Sequence, residues 1–272
     1  MQRAGEHPIA AGPLAPRWLA WSLDPPRSGV ASVARISVEN AGTATWRSRG
    51  EEGVQASFHW LDTLGNPIVW DGPRTPLPHP VAPGEQVELK FAVTAPRPPG
   101  AYRLAFDLVE EHRFWFEQVG CTPLELELDV APRITERRLA VRIHGGADPA
   151  TAAALESQEE PTVESEPVAV AHLVAGAIPP PAWSRLLLDA HAEGWAAVGT
   201  ALVREGRDRE LEPWRGGGGR NPRFGHPLLL PSLLDGFEPS EHLGLPAYEG
   251  SGGLFEGRAT VTLPRRSGRR PK

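Results

Sequence analysis

The chain has 272 residues, 40% hydrophobic and 23% charged, a mixture that can bury two ordinary globular cores. A net charge of -6, with Lys90 and Lys272 the only lysines, offers no basic face to phosphates and excludes nucleic acid as an expected partner. Residues 1–16 lack the cationic start and apolar centre of a secretion signal, no stretch approaches the ~20 apolar residues that span a bilayer, and Cys121 is the only cysteine, so a cytoplasmic protein without disulfides is expected.

Residues 1–13 read as a flexible N-terminus, and residues 14–132 as a run of half-buried strands. In such strands every second side chain faces the core. Ala34, Ile36 and Val38 alternate with Arg35, Ser37 and Glu39; Val54, Ala56, Phe58 and Trp60 alternate with Gln55, Ser57 and His59. Each segment thus has one apolar face and one wet face. The pattern returns at Val87, Leu89, Phe91 and Val93, at Tyr102, Leu104, Phe106 and Leu108, and at Leu124, Leu126, Leu128 and Val130. Turn signals separate the runs: Leu64-Gly65-Asn66-Pro67, Ala82-Pro83-Gly84-Glu85 and Pro98-Pro99-Gly100. About seven short strands at this spacing predict an antiparallel β-sandwich, with Trp60 buried on a central strand and the Tyr102 hydroxyl tying down a corner.

Asn40, Gly42 and Trp46 in Asn-x-Gly-x-x-x-Trp, the Pro83-Gly84-Glu85 turn and Pro99-Gly100-Ala101-Tyr102-Arg103-Leu104 resemble the tryptophan-rich immunoglobulin-like domains of bacterial surface-glycan proteins. The carbohydrate-binding domain at the C-terminal end of O-antigen ABC transporters is similar in general plan. The resemblance covers about 115 residues and implies a binding or spacer module, glycan-binding by analogy. Trp46, Trp70, Trp115 and Trp214 are then the candidate platforms, because flat sugar faces stack on rings. Their exposure together on one face favours glycan binding; burial of all four favours a spacer.

From Ile134 the period changes. Residues 138–143 read as a strand, and Asp148 and Pro149 as the N-cap and first position of a helix over 150–158. An acidic connector, 159–166, leads to an apolar run at 168–177, which Pro179-Pro180-Pro181 stops. Residues 182–193 form an amphipathic helix with Trp183, Leu186, Leu187 and Ala190 on one face; Gly194 closes it, and 195–203 is a third strand. Alternating strand and helix predict a small α/β domain over 136–263 with mostly parallel strands, so the whole is multidomain, β plus α/β. The glycine run at 215–220 lacks the Lys and Ser/Thr of a phosphate loop and reads as a surface loop. The proline-punctuated stretch 221–248 is either a cover for the α/β unit or a partner surface. Residues 258–263 are a last strand, and 264–272 a basic tail, expected to be disordered, with peripheral contact to an anionic membrane as the alternative.

Leu155-Glu156-Ser157-Gln158, Pro181-Ala182-Trp183 and the helix after it resemble family 2 glycosyltransferases of the GT-A type, over about 70 residues. That family holds a divalent cation with an Asp-x-Asp-like pair, because a hard cation takes oxygen ligands. The matching segment here is Ala171-His172-Leu173-Val174-Ala175-Gly176, without a carboxylate, and Asp235, Glu238 and Glu241 lie in a Gly/Pro-rich loop. His172, with His144 or His191, is a candidate ligand there, against the commoner case of a histidine satisfied in a core or at an edge. The expected protein is a non-catalytic, cofactor-free accessory of cell-envelope polysaccharide synthesis that binds a glycan or a protein of that machinery. The alternative is a transferase of nucleotide-sugars, with Mn2+ or Mg2+, or with a metal-independent donor site at the helix N-termini near Asp148 and Ala182.

Overall fold

The computed structural model describes residues 2–3, 12–49, 52–144 and 146–195, and beyond them only the strands named below. The chain divides into two compact units, Met1–Ala131 and Pro132–Lys272. In the first, β1 (Gln2–Arg3), β2 (Pro16–Leu23), β3 (Ala31–Asn40), β4 (Ser48–Arg49), β5 (Glu52–Leu61), β6 (Pro67–Val69), β7 (Thr75–Pro76), β8 (Gln86–Thr94), β9 (Gly100–Glu110), β10 (Phe114–Trp115) and β11 (Leu124–Val130) follow in order. They form two antiparallel sheets, one ordered β1-β2-β3-β8, the other β10-β9-β5-β4 with β11 on β9 and with β6 and β7 on β5. Ile36, Val38, Leu89 and Phe91 of the first sheet share one core with Phe58, Trp60, Leu104, Phe106 and Leu108 of the second. The Phe91 and Phe106 rings meet at 4.8 Å. Alternation places these side chains inward, and burying each contributes roughly 1.5–3 kcal/mol.

The turn motifs hold this packing. Asn40 Nδ2 donates to the carbonyls of Ala44 (2.8 Å) and Val81 (2.9 Å), while its Oδ1 accepts from the Gly42 amide at 3.1 Å. A Cβ on Gly42 would stand 2.3 Å from the Pro13 carbonyl oxygen, so only glycine fits there. The Tyr102 hydroxyl donates to the Pro98 carbonyl at 2.7 Å, the corner tie expected from its position. The Asp62 carboxylate accepts from the amides of Leu64 (2.9 Å) and Asn66 (2.8 Å) and closes the β5–β6 turn, where Gly65 has φ +92°.

The second unit contains β12 (Leu139–His144), α1 (Pro149–Glu156), β13 (Ala169–Val174), α2 (Trp183–Ala192), β14 (Ala197–Val198), β15 (Ala201–Arg204), β16 (Glu210–Leu211), β17 (Ser232–Leu234), β18 (Glu238–His242), β19 (Leu245–Glu249), β20 (Leu254–Phe255) and β21 (Thr260–Leu263). Its largest sheet runs β12-β13-β17-β14-β20. Trp183, Leu187 and Ala190 of α2 enter a core with Leu139, Ala169, Ala171 and Leu173. Asp148 caps α1 as expected, accepting from the Thr151 amide at 2.9 Å.

Three expectations need correction. The strands of this second sheet are not mostly parallel: β12 and β13 run parallel, as do β14 and β20, but β17 lies antiparallel to both its neighbours. β17 comes from the proline-punctuated stretch, so part of that stretch is sheet and not cover. Gln2 and Arg3 pair with Trp21 and Ala20. The face of β5 expected to be wet is buried: Gln55, Ser57 and His59 are 4%, 0% and 1% exposed. The glycine run at 215–220 and the basic tail lie outside the described residues.

Candidate functional site

On β9, Arg103, Ala105, Asp107 and Val109 point away from the shared core; register aligns Arg103 with Leu61, Ala105 with His59 and Asp107 with Ser57. The same register sets Glu125, Glu127 and Asp129 of β11 opposite Ala105, Arg103 and Ala101. All these residues therefore share the outward face of the second sheet.

The segment between β6 and β7 crosses half of that face. The Gly72 amide donates to the Phe58 carbonyl at 3.1 Å, and the Ser57 hydroxyl donates to the Gly72 carbonyl at 2.8 Å. A Cβ on Gly72 would lie 2.6 Å from the Phe58 carbonyl oxygen, so the close approach depends on glycine. Trp70 lies flat on His59, rings 4.2 Å apart and 18° from parallel. Trp115 of β10 meets His59 edge-on at 4.3 Å. The Arg74 guanidinium sits 4.9 Å from the Trp115 ring centre and pairs with Asp71 at 2.5 Å and with Glu111. This cover buries His59 and Ser57, yet leaves Trp70 itself 44% exposed.

His59 Nδ1 is bonded to the Trp70 carbonyl, which can only accept, so the proton is on Nδ1; Nε2 is buried and has no partner. Burial holds the His59 pKa below the ordinary histidine value. Asp107, fully buried, accepts from the amides of Leu108 (2.7 Å) and Glu117 (3.1 Å), and burial pushes its carboxyl up to about 7.

Beyond the cover the face stays open. A hollow of 390 Å³ is lined by Thr63, Tyr102, Arg103, Glu127, Leu128 and Asp129, with Ala101. Arg103 pairs with Glu125 at 3.2 Å. From His59, beneath Trp70, to the row of Leu61 and Arg103 is two residues along β5, about 7 Å. An exposed aromatic ring and a hollow of mixed polar and apolar lining thus belong to the same sheet.

The candidate residues separate. Trp46 is fully buried, edge-on to Phe116 at 6.1 Å, and its strand segment pairs with Val81; it is a core residue and not a platform, because the Asn40 tie draws residues 41–46 onto the sandwich. Trp70 and Trp115 lie together, their rings 6.3 Å apart, but Trp115 is 8% exposed and supports Trp70 from below. Trp214 lies outside the described residues. His172 stands on β13 opposite Arg142 of β12, and its side chain is outside the described residues, as is that of His144. His191 is buried on α2 with Nδ1 donating to the Trp195 carbonyl at 2.8 Å, and burial lowers its pKa to about 4.

Several amides at the helix N-termini near Asp148 and Ala182 have partners within the chain. The Thr151 amide binds Asp148, while the amides of Trp183 and Ser184 donate to the Pro180 carbonyl (2.9 Å) and to Gln158 Oε1 (2.9 Å). A divalent cation finds no fit at residues 171–176, which offer no carboxylate, and among the described residues no group of three or more His, Cys, Asp or Glu is placed to hold a metal.

Sequence reasoning missed His59, Arg74, Arg103, Glu127 and Asp129. One signal was available: Leu104 to Val109 has apolar residues at both parities, which marks a strand covered on both faces.

No protein-family profile matches the chain, and no curated protein matches it. Among solved structures it is similar to the C-terminal domain of wzt, at 12% identity and a TM-score of 0.32, over 45% of this chain and 75% of that one. No helix among the described residues is long and apolar enough to cross a membrane.

Proposed function

We propose that this chain is a non-catalytic glycan-binding protein, an accessory of bacterial cell-envelope polysaccharide synthesis, and that the glycan lies on the outward face of β5, β9 and β11. One observation carries this: the Trp70 ring, seated on His59, is 44% exposed, and a hollow lined by Arg103, Glu127 and Asp129 opens on the same sheet. A sugar ring is apolar on its flat faces and polar at its rim. Trp70 supplies the surface for the first. Glu127 and Asp129 accept from hydroxyls, and Arg103 and Thr63 donate to them. The base under Trp70 is fixed by packing, so little side-chain freedom is lost on binding. The resemblance of the Asn40–Gly42–Trp46 motif to surface-glycan domains supplies the biological setting. A cytoplasmic location belongs to the same proposal and rests on the unpaired, buried Cys121.

The test is calorimetric titration of the full chain with neutral oligosaccharides of surface-polysaccharide type. Trp70→Ala is expected to weaken binding at least tenfold, equivalent to about 1.4 kcal/mol. Binding unchanged in Trp70→Ala removes the plate from the site, and saturable micromolar binding of UDP-, GDP- or dTDP-sugars restores the transferase.

A further inference from the structure

We propose that His59 is the positioning residue of this site: as a neutral ring protonated on Nδ1 it holds Trp70 down as a binding plate, and protonation of its second nitrogen releases the plate. The inference rests on the glycan-binding role of Trp70 for its significance, and on the geometry of the pair for its mechanism.

Three contacts converge on one imidazole. Its face stacks on Trp70, its edge meets Trp115, and its Nδ1–H donates to the carbonyl of the residue whose ring it supports. His59 therefore fixes both the ring and the backbone of residue 70. The neutral ring suits this position, because Nε2 needs no donor of its own while it holds only a lone pair. Adding a proton there creates a second N–H, and a positive charge, in a place that offers no acceptor. The charged groups on the elements around it do not remove that cost. Asp71 favours a cation at His59 and Arg74 opposes it less strongly, but Asp71 and Glu111 are both paired with Arg74, and the cost of burial stays the largest effect. On the same sheet face, Arg103 pairs with Glu125, and Asp107 already accepts from two amides. Water is the remaining acceptor, and it reaches Nε2 only when the 44%-exposed Trp70 lifts.

The sign follows by linkage. Closed, His59 has a lowered pKa; with Trp70 lifted, it regains the ordinary value of 6.5. The contribution of His59 to closure is thus complete above that value and is lost as pH falls through the lowered one. Between the two, the ratio of lifted to closed plate rises by up to about tenfold per pH unit.

The experiment follows Trp70 directly and uses no carbohydrate, so failure of the glycan reading does not touch it. The full chain is labelled with 5-fluorotryptophan, and the Trp70 resonance, identified by its loss in Trp70→Phe among nine tryptophans, is followed from pH 7.5 to 5. The expected result is a titrating shift toward the solvent-exposed position, abolished in His59→Asn, whose amide keeps a donor near the place of Nδ1 but cannot be charged. A Trp70 resonance that does not move, or one that moves equally in His59→Asn, overturns the proposal. An independent measurement covers a variant that fails to fold: the ring-nitrogen shifts of His59 in the wild-type chain at pH 7.5 must report the Nδ1–H tautomer, and the Nε2–H tautomer overturns the proposal.

Discussion

Gly72 decides whether the outward face of β5 is wet or dry. Its missing side chain lets the backbone of residues 70–74 come within 3.1 Å of β5, and that approach seats Trp70 on His59. Gly72→Ala places a methyl 2.6 Å from the Phe58 carbonyl oxygen, part of the backbone of the central strand β5. The cover must lift. We expect a loss of about 1–3 kcal/mol in chemical denaturation, together with solvent quenching of Trp70 and Trp115. A variant as stable as wild type with unchanged quenching would show that the cover does not depend on this contact. Arg74 acts at the same scale. It holds Asp71, the Gly72 carbonyl (3.1 Å) and Glu111, so one guanidinium fixes both ends of the segment to the sheet.

At the scale of elements, α1 and α2 meet through Gln158. Its Nε2 donates to the carbonyls of Ala154 (2.9 Å) and Pro180 (3.0 Å), and its Oε1 accepts from the Ser184 amide. Ser184 Oγ in turn accepts from the Glu160 amide at 3.2 Å, and Ser157 Oγ donates to Ala154 at 2.9 Å. The Leu155-Glu156-Ser157-Gln158 sequence is thus a clasp between the end of one helix and the start of the next. Gln158→Ala leaves the Ser184 amide unpaired beside a residue only 9% exposed, while the Ala154 and Pro180 carbonyls keep Ser157 Oγ and the Trp183 amide. A loss of about 2 kcal/mol, with faster amide exchange at Ser184, is expected in the second unit alone. Loss of stability in the first unit instead would contradict this assignment. The salt bridges Arg137–Asp189 (2.8 Å) and Arg185–Glu159 (2.6 Å) lie beside the clasp but are partly exposed, and add little.

For the whole molecule, the two units carry buried groups of opposite pH response. Asp107 in the first has its carboxyl raised to about 7 from 3.8, so its contribution is complete below 3.8 and is lost as pH rises to about 7. His191 in the second has its pKa lowered to about 4 from 6.5, so its contribution is complete above 6.5 and is lost as pH falls to about 4. Each effect is on the order of a few kcal/mol. Fluorine labels at Trp60 and Trp183 report the two unfolding transitions separately. Relative to Asp107→Asn, the first unit is expected to weaken between pH 4.5 and 7.5 by this order. Relative to His191→Asn, the second is expected to strengthen over the same interval. Parallel slopes in variant and wild type would remove these two residues as the cause.

The sequence by itself determined the inward residues of β3, β5, β8, β9 and β11, the Tyr102 tie and the Asp148 cap, because each follows from period two, from a corner position or from a local side-chain-to-amide bond. Trp70 and Trp115 were also found in it as residue types suited to a sugar face. Only the tertiary structure decided that Trp46 belongs to the core, that Trp115 supports and Trp70 displays, and that Ser57 and His59 are dry. Those outcomes depend on a segment more than ten residues away returning over the sheet, and on a glycine whose necessity appears only when the Phe58 carbonyl is opposite it. The mixed order of the second sheet was hidden for a similar reason. Alternating strand and helix give the parallel pair β12 and β13, but a three-residue strand arriving from a proline-rich stretch carries no period, and pairing alone places β17 between β13 and β14.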